Sequence, residues 1–359
     1  MPRAWIVAAL LVACTGDRPV PAPSPARASP ASKTLSPETP SSDPHDLSSK
    51  SASAGPHDLS RKPSASAPPA ADAPAGPFPL RAHTVAVDGH PIAVHARVPP
   101  APWAAIVLVH GRTWSALPDF DLQVPDARVS LLDNLAAEGL AAYAVDLRGY
   151  GATPRDPSGF TTPTRAADDL AAVLRFVAAE SGLAARPAVL GWSLGARVAA
   201  LTAQRHPDLA GALVLYGTPC SDPRNRPSTP IRDQAPPSRK ANTEAAARAD
   251  FITPDAIAPA VADAFVRAAL AADPIKADWR EVEVWTTIDF HRLRAPILAI
   301  HGERDPVVDA ACLRARLAEA PGPTAIEVLP GADHAAHLER AAPRFTAAVV
   351  AFLRAHLSR

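Results

Sequence analysis

From about residue 78 to the C-terminus, short apolar runs alternate with longer segments in which apolar residues recur at helical spacing. The runs carry few polar side chains, which is typical of parallel strands covered on both faces. They lie at 105–109, 186–190, 212–216, 295–300 and 325–329, and the clearest helical segments lie at 196–205 and from about 336 to 356. This alternation predicts an α/β domain with a mostly parallel sheet.

The turn between the run at 186–190 and the helix at 196–205 contains Gly191-Trp192-Ser193-Leu194-Gly195, which fits the G-x-S-x-G nucleophile elbow. In such an elbow the serine turns the chain sharply from strand to helix, so that its hydroxyl stands clear of the sheet. The flanking glycines leave room for backbone that passes close by. The sequence therefore predicts Ser193 as a nucleophile.

A serine nucleophile needs a base to accept its proton and an acid to orient that base. Asp305 lies in the polar turn after the run at 295–300, and His334 lies in the loop after the run at 325–329. Ligands bind at the carboxyl ends of strands in open α/β sheets, and both residues lie at such ends. The chain order Ser193, Asp305, His334 is also the order of the triad in this elbow type.

Three other residues compete for the roles of acid and base. His337 lies one helical turn beyond His334, but the pattern places it inside the last helix, as a solvated or capping side chain. Asp222, just after the run at 212–216, is an alternative acid. Asp333 is adjacent to His334 and therefore poorly placed to orient it. The pattern favours Asp305 and His334.

The run at 105–109 ends in His110-Gly111-Arg112, where a glycine turn is expected to direct the backbone N–H of Arg112 toward Ser193. The N–H of Leu194 is the expected second donor, because it opens the helix after the nucleophile. Two such donors form an oxyanion hole, in which each donor contributes about 3–4 kcal/mol. His110 is expected to brace this loop.

Several segments together resemble the α/β-hydrolase superfamily. In chain order they are His110-Gly111, Asp146-Leu147-Arg148-Gly149-Tyr150-Gly151, Gly191-Trp192-Ser193-Leu194-Gly195, Gly302-Glu303-Arg304-Asp305 and Gly331-Ala332-Asp333-His334. The resemblance covers 78–359 and implies an α/β-hydrolase fold, with eight mostly parallel strands, helices on both faces and an inserted cap. It implies structural roles for Asp146 and Arg148. Arg112 departs from the pattern, because small or aromatic residues are more usual after His-Gly.

A serine at position 193 argues against the dehalogenases and epoxide hydrolases of this fold, which use aspartate as the nucleophile. The predicted function is hydrolysis of a carboxylic ester, thioester or similar acyl bond through an acyl-enzyme on Ser193. Cofactor-free perhydrolysis or acyl transfer on the same triad is an alternative, as is a non-catalytic envelope protein that binds a ligand. The fold alone does not choose among these activities.

The strand and helix rhythm breaks in 220–294, which we interpret as the inserted cap over Ser193. Trp114, shortly after the expected oxyanion loop, and Trp192, beside the nucleophile, are candidates for the substrate pocket.

The N-terminus resembles a bacterial lipoprotein signal. Arg3 is followed by an apolar stretch and by Leu11-Val12-Ala13-Cys14, which predicts a signal peptide over 1–13 and a lipid-modified Cys14. Residues 15–77 hold no Phe, Trp or Tyr and are rich in Pro, Ser and Ala, so 14–77 is predicted to be a disordered tether. The expected location is extracytoplasmic, on a bacterial membrane, and on the outer membrane if the cell is Gram-negative.

Charge and cysteine content restrict the partners. The 36 basic and 36 acidic residues give a formal net charge of zero, and no basic stripe indicates nucleic acid as a partner. Neither a metal nor a cofactor is expected, and the partner is a small acyl substrate. The sequence leaves open whether Cys220 and Cys312 form a disulfide, and it does not indicate the oligomeric state.

Overall fold

The computed structural model describes residues 77–220 and 236–357. The predicted signal peptide, Cys14 and the predicted tether up to residue 76 lie outside these ranges.

An eight-stranded sheet forms the centre of the described chain, in the order β1-β2-β4-β3-β5-β6-β7-β8. The strands are β1 (Arg81–Val87), β2 (His90–Arg97), β3 (Ala104–Val109), β4 (Leu140–Val145), β5 (Ala188–Trp192), β6 (Ala212–Tyr216), β7 (Ile297–Gly302) and β8 (Thr324–Leu329). β2 runs antiparallel to β1 and β4, and all other neighbours are parallel. The predicted mostly parallel sheet is therefore confirmed.

Helices cover both faces of this sheet. They are α1 (Ala116–Phe120), α2 (Leu131–Ala137), α3 (Pro163–Ser181), α4 (Leu194–Arg205), α5 (Glu244–Arg248), α6 (Pro259–Ala272), α7 (Ala310–Leu317) and α8 (Ala342–Leu357). One buried apolar cluster joins the sheet to α3 and α4, and a second joins its other face to α1, α2 and α8. β3 to β7 are buried at every position, because each face of these strands has a helical layer against it.

The strand register places the loops that contain the predicted site residues at the same edge of the sheet. Val109 at the end of β3 pairs with Gly191, and Trp192 at the end of β5 pairs with Tyr216. On the other side, Gly302 pairs with Leu329. The carboxyl ends of these strands therefore lie at one edge of the sheet.

The chain between β6 and β7 contains the segment that was interpreted as a cap. Its described part, from residue 236, holds α5, α6 and two short 3-10 helices at Val282–Thr287 and Phe290–Arg292. Apolar side chains of α5 and α6 form a separate buried cluster, which includes Phe265 and reaches Trp114 and Leu338 outside the segment. Within the described ranges, no helix is both long and apolar enough to span a bilayer.

The last helix begins later than predicted, at Ala342 rather than near residue 336. Pro343 explains the difference, because proline lacks a backbone N–H and fits the first turn of a helix but not its interior. The residues before it fold as turns, in which the N–H of Leu338 donates to the carbonyl of Ala335.

Cys220 and Cys312 form a disulfide with a Cα–Cα distance of 6.0 Å, which answers a question that the sequence left open. The bond joins the chain just after β6 to the first turn of α7 and closes a loop of 92 residues. Such a cross-link stabilises the fold mainly by restricting the unfolded chain.

Reduction of this disulfide should lower the free energy of unfolding, by up to about 4–5 kcal/mol for a loop of this length. Thermal unfolding with and without reductant measures the effect. Cys312→Ser should unfold at the lower temperature in both conditions. Equal stability of the wild-type protein with and without reductant would contradict the prediction.

Candidate active site

Ser193 occupies a strained turn between β5 and α4. Its backbone has φ 54° and ψ −110°, a region that residues other than glycine rarely adopt. A Cβ on Gly191 would collide with the carbonyl of Gly195, and a Cβ on Gly195 would collide with the carbonyl of Val109. The N–H of Ser193 donates to the carbonyl of Tyr216 at 2.8 Å. The two glycines and this hydrogen bond hold the serine in the turn that the sequence predicts.

His334 and Asp305 form a buried pair at the same edge of the sheet. The Nδ1 of His334 lies 2.9 Å from Oδ2 of Asp305, and both side chains are almost fully buried. The N–H of Val307 donates to the other carboxylate oxygen at 2.9 Å, which fixes the acid. Because Nδ1 is engaged, Nε2 is the ring nitrogen left for a second proton partner.

The backbone of Gly217 connects this pair with Ser193. A Cβ at Gly217, where φ is +53°, would lie 3.0 Å from Cε1 of His334 and 3.2 Å from Oδ2 of Asp305. Gly217 directly follows Tyr216, whose carbonyl accepts the N–H of Ser193. Ser193 and the His334–Asp305 pair therefore both lie close to the backbone of Tyr216 and Gly217, at the same edge of the sheet.

Nearby carboxylates favour the protonated form of His334. Burial lowers the pKa of His334, but the charge of Asp305 and its hydrogen bond raise it, as do Asp250 and Asp333. The net result is a pKa above the usual value of histidine. Burial also raises the pKa of Asp250 to about 6, against the opposing effects of His334 and of a hydrogen bond from Trp114.

The loop after β3 is braced as expected of an oxyanion-hole loop. His110 is fully buried, and its Nδ1 lies 2.7 Å from the carbonyl of Gly111 while its Nε2 accepts the N–H of Leu147 at 3.1 Å. The hydroxyl of Tyr150 donates to the carbonyl of Arg112. Leu194 is the first residue of α4, where N–H groups have no acceptor within the helix. The donor roles of Arg112 and Leu194 stay predictions.

The two candidate pocket residues are packed more tightly than expected. Trp114 is 2% exposed, stands edge-on to Phe265 and donates from Nε1 to Asp250 at 2.8 Å. Trp192 is also 2% exposed, stacks on Tyr216 and donates to the carbonyl of His334 at 2.8 Å. Both indoles therefore support the surrounding loops from buried positions, and their contact with a substrate stays a prediction. Each ring needs its N–H partner to be buried without penalty.

The structure also corrects the interpretation of His337. The residue lies in the turns before α8 and is 1% exposed, so it is neither helical nor solvated. Burial lowers its pKa to about 3. Asp333 does lie in a loop and does not orient His334, but its side chain is buried and accepts the N–H of Thr253 at 2.5 Å. Asp222 lies outside the described residues.

Four hydrogen bonds that the sequence did not predict connect the segment between β6 and β7 to the loops around Ser193. Asp273, directly after α6, accepts the N–H of Ser115 at 2.7 Å and that of Gly151 at 2.9 Å. Asp250 accepts from the side chain of Trp114, and the N–H of Thr253 donates to Asp333. The partners are separated by 80 to 158 residues in the chain, so no local pattern signals them.

One group of possible metal ligands occurs among the described residues. Asp289, His291 and Glu319 offer ligand atoms within 4.8 Å of one another. Asp289 also accepts the N–H of His291, and Glu319 pairs with Arg316. The group contains none of the triad residues and adds nothing to the chemistry at Ser193.

An eight-stranded α/β sheet with a strained serine turn and a buried His–Asp pair at its carboxyl edge defines the class of the α/β hydrolases. The sequence profile of the alpha/beta hydrolase family matches residues 106–349, which is more than half of the chain. The chain therefore belongs to the alpha/beta hydrolase family.

Solved structures agree with this assignment. The esterase RhEst1 from Rhodococcus sp. ECU1013 is 25% identical, with a TM-score of 0.55 over 77% of this chain and 99% of that chain. Epoxide hydrolase A from Mycobacterium thermoresistibile is 20% identical, with a TM-score of 0.55 over 77% and 98%. Est1E from Butyrivibrio proteoclasticus, solved with ferulic acid, is 17% identical, with a TM-score of 0.53 over 77% and 100%. No curated protein sequence matches the chain.

Asp250→Asn should move the acid limb of the activity profile to lower pH. The predicted base His334 accepts a proton only in its neutral form, so we expect activity to be lost as the pH falls through its pKa. Asp250 is mostly ionised above pH 6, and removal of that charge lowers the pKa of His334. The asparagine oxygen still accepts from Trp114. The pH dependence of kcat/KM measures the shift.

Asp255→Asn is the matched control, since Asp255 is an exposed carboxylate in the same segment. It should leave the acid limb in place. If the acid limb of Asp250→Asn is unchanged or moves to higher pH, the charge of Asp250 does not raise the pKa of His334.

Proposed function

We propose that this alpha/beta hydrolase is a serine esterase that cleaves carboxylic esters or related acyl bonds through an acyl-enzyme on Ser193. The contact of Gly217 with the His334–Asp305 pair, one residue from the carbonyl that binds Ser193, is the observation that carries the proposal. The likeness to the esterase RhEst1 supports the ester class.

In the proposed mechanism, Oγ of Ser193 attacks the acyl carbon while Nε2 of His334 accepts the hydroxyl proton. The N–H groups of Arg112 and Leu194 stabilise the resulting oxyanion, in which one donor contributes about 3–4 kcal/mol. The intermediate then expels the alkoxide, which takes the proton from His334. Water attacks the acyl-enzyme with His334 again as base, and the acid product and free Ser193 are released.

Asp305 orients the imidazole through Nδ1 and stabilises the imidazolium that forms in each half-reaction. The raised pKa of His334 has the same origin, because the charge that favours the resting imidazolium also favours it in the transition state.

Ser193→Ala should abolish hydrolysis, by at least about 10³-fold in kcat, while the melting temperature stays nearly unchanged. Asp305→Asn should lower kcat by about 10⁴-fold, because the imidazole loses its orienting acceptor. A panel of 4-nitrophenyl esters of graded acyl length measures both and reports the preferred chain length. Ser181→Ala, at the end of α3, is the control. A Ser193→Ala protein that hydrolyses the panel as fast as wild type would refute the proposal.

We further propose that the protein is exported and held at a bacterial membrane by lipid on Cys14. The apolar stretch before Cys14 and the Pro-, Ser- and Ala-rich composition after it support this location. The Cys220–Cys312 disulfide supports it independently, since disulfides persist in oxidising compartments.

Cys14→Ser should fail to enter the membrane fraction as a processed lipoprotein, because it lacks the sulfur that is acylated. Fractionation, with the N-terminus determined by mass spectrometry, checks this result. Cys312→Ser is the matched control, since it removes a cysteine but leaves the anchor. A wild-type protein that is wholly soluble, with an N-terminus other than Cys14, would remove the anchor and leave the hydrolase proposal intact.

A further inference from the structure

His337 joins two parts of the active site that are distant in sequence. Its Nε2 lies 2.8 Å from the backbone carbonyl of Asp119 in α1, and its Nδ1 lies 3.1 Å from the hydroxyl of Tyr216. A carbonyl only accepts, so Nε2 carries the proton and Nδ1 is left with its lone pair. Burial keeps the ring neutral, which preserves this arrangement of one donor and one acceptor.

Each of the two partners of His337 is hydrogen-bonded in turn to a loop of the proposed active site. On one side, the single proton of the Tyr216 hydroxyl has two acceptors, the backbone carbonyl of His334 at 2.8 Å and Nδ1 of His337, while the hydroxyl oxygen accepts the backbone N–H of His337 at 3.4 Å. On the other side, a carboxylate oxygen of Asp119 accepts the N–H of Gly111 at 3.1 Å. Gly111 directly precedes Arg112, the candidate oxyanion donor. A buried chain of hydrogen bonds therefore runs from the His334 loop through Tyr216, His337 and Asp119 to the oxyanion-hole loop.

The surroundings make this chain rigid. Tyr216, His337 and Asp119 are each at most 1% exposed, and His337 is in ring contact with Trp192, Tyr216, Phe120 and Phe345. In such a site a lost hydrogen bond is not replaced by solvent, so the groups it joined move or stay unpaired.

We propose that His337 is a positioning residue that holds the oxyanion-hole loop in register with the catalytic histidine. This role rests on the proposed serine-esterase function, and it assigns to His337 no contact with the substrate. Oxyanion donors act only when they meet the position that the charged oxygen reaches, and a misplacement of about 1 Å costs about 100-fold in rate. A buried link between the loop at Arg112 and the loop at His334 keeps the expected oxyanion donor at a fixed position relative to the base.

His337→Phe, which keeps a ring but removes both ring nitrogens and with them the bond to the carbonyl of Asp119, should lower kcat by about 10- to 100-fold with little change in KM. His337→Gln should recover most of the rate, because its amide nitrogen can donate to the carbonyl of Asp119. Tyr216→Phe removes one oxygen and should also lower kcat. The double variant Tyr216→Phe/His337→Phe should be no slower than the slower single variant, because both changes break one chain.

The control is Thr202→Val on α4. The hydroxyl of Thr202 is buried and donates to the carbonyl of Val198 at 2.8 Å, and it takes no part in the chain of hydrogen bonds through His337. It should lower the melting temperature and leave kcat unchanged. All variants are assayed in the full-length protein with the 4-nitrophenyl ester that wild type hydrolyses fastest, and Ser193→Ala verifies the chemistry.

Unchanged kcat in His337→Phe, with wild-type activity that depends on Ser193, overturns the positioning role and leaves the esterase proposal standing. Multiplicative losses in the double variant, or no recovery with His337→Gln, also overturn it, because both indicate ordinary packing. If His337→Phe does not fold, Tyr216→Phe and His337→Gln decide the question alone.

Discussion

The strained backbone at Ser193 is the constraint on which the rest of the site depends. A residue with φ 54° and ψ −110° costs about 1–3 kcal/mol, and it persists only where its neighbours permit no alternative. Here the neighbours are close: the carbonyl of Tyr216 binds the Ser193 N–H, while the chain at Gly191 and Gly195 passes too near for any side chain. The strain fixes where the hydroxyl lies, and the sheet register then determines which loops meet it.

Around that turn, hydrogen bonds between side chains and backbone groups hold much of the site. His334 is anchored through its own backbone carbonyl, which accepts from both Trp192 and Tyr216. Hydrogen bonds also hold the segment between β6 and β7. Asp250 accepts from the side chain of Trp114, Asp273 accepts the N–H of Ser115, and the N–H of Thr253 donates to Asp333. A shift of this segment therefore acts directly on the loops that surround Ser193.

The sequence predicted the elements whose signal is local. The run before Ser193, the glycines of the elbow and the polar turns at Asp305 and His334 each lie within a few residues of a predicted strand end. The structure pairs His334 with Asp305 at the edge of the sheet where Ser193 lies. Errors arose where burial depends on distant contacts. His337 has helical spacing from His334, but the helix begins only at Ala342, next to Pro343. The imidazole of His337 instead bonds the carbonyl of Asp119, which is 218 residues away in the chain. Trp114 and Trp192 are more deeply buried than their sequence positions suggest, because their N–H groups donate to Asp250 and to the carbonyl of His334.

The proposed activity requires a nucleophilic Ser193 that is activated by His334. Treatment of the full-length protein with a fluorophosphonate, followed by intact mass and peptide mapping, tests it directly because the reagent bonds covalently to an activated serine. We expect one adduct, on the peptide that contains Ser193, formed rapidly in the wild-type protein and far more slowly in His334→Ala. An unmodified Ser193, or labelling at the same rate without His334, would contradict the account.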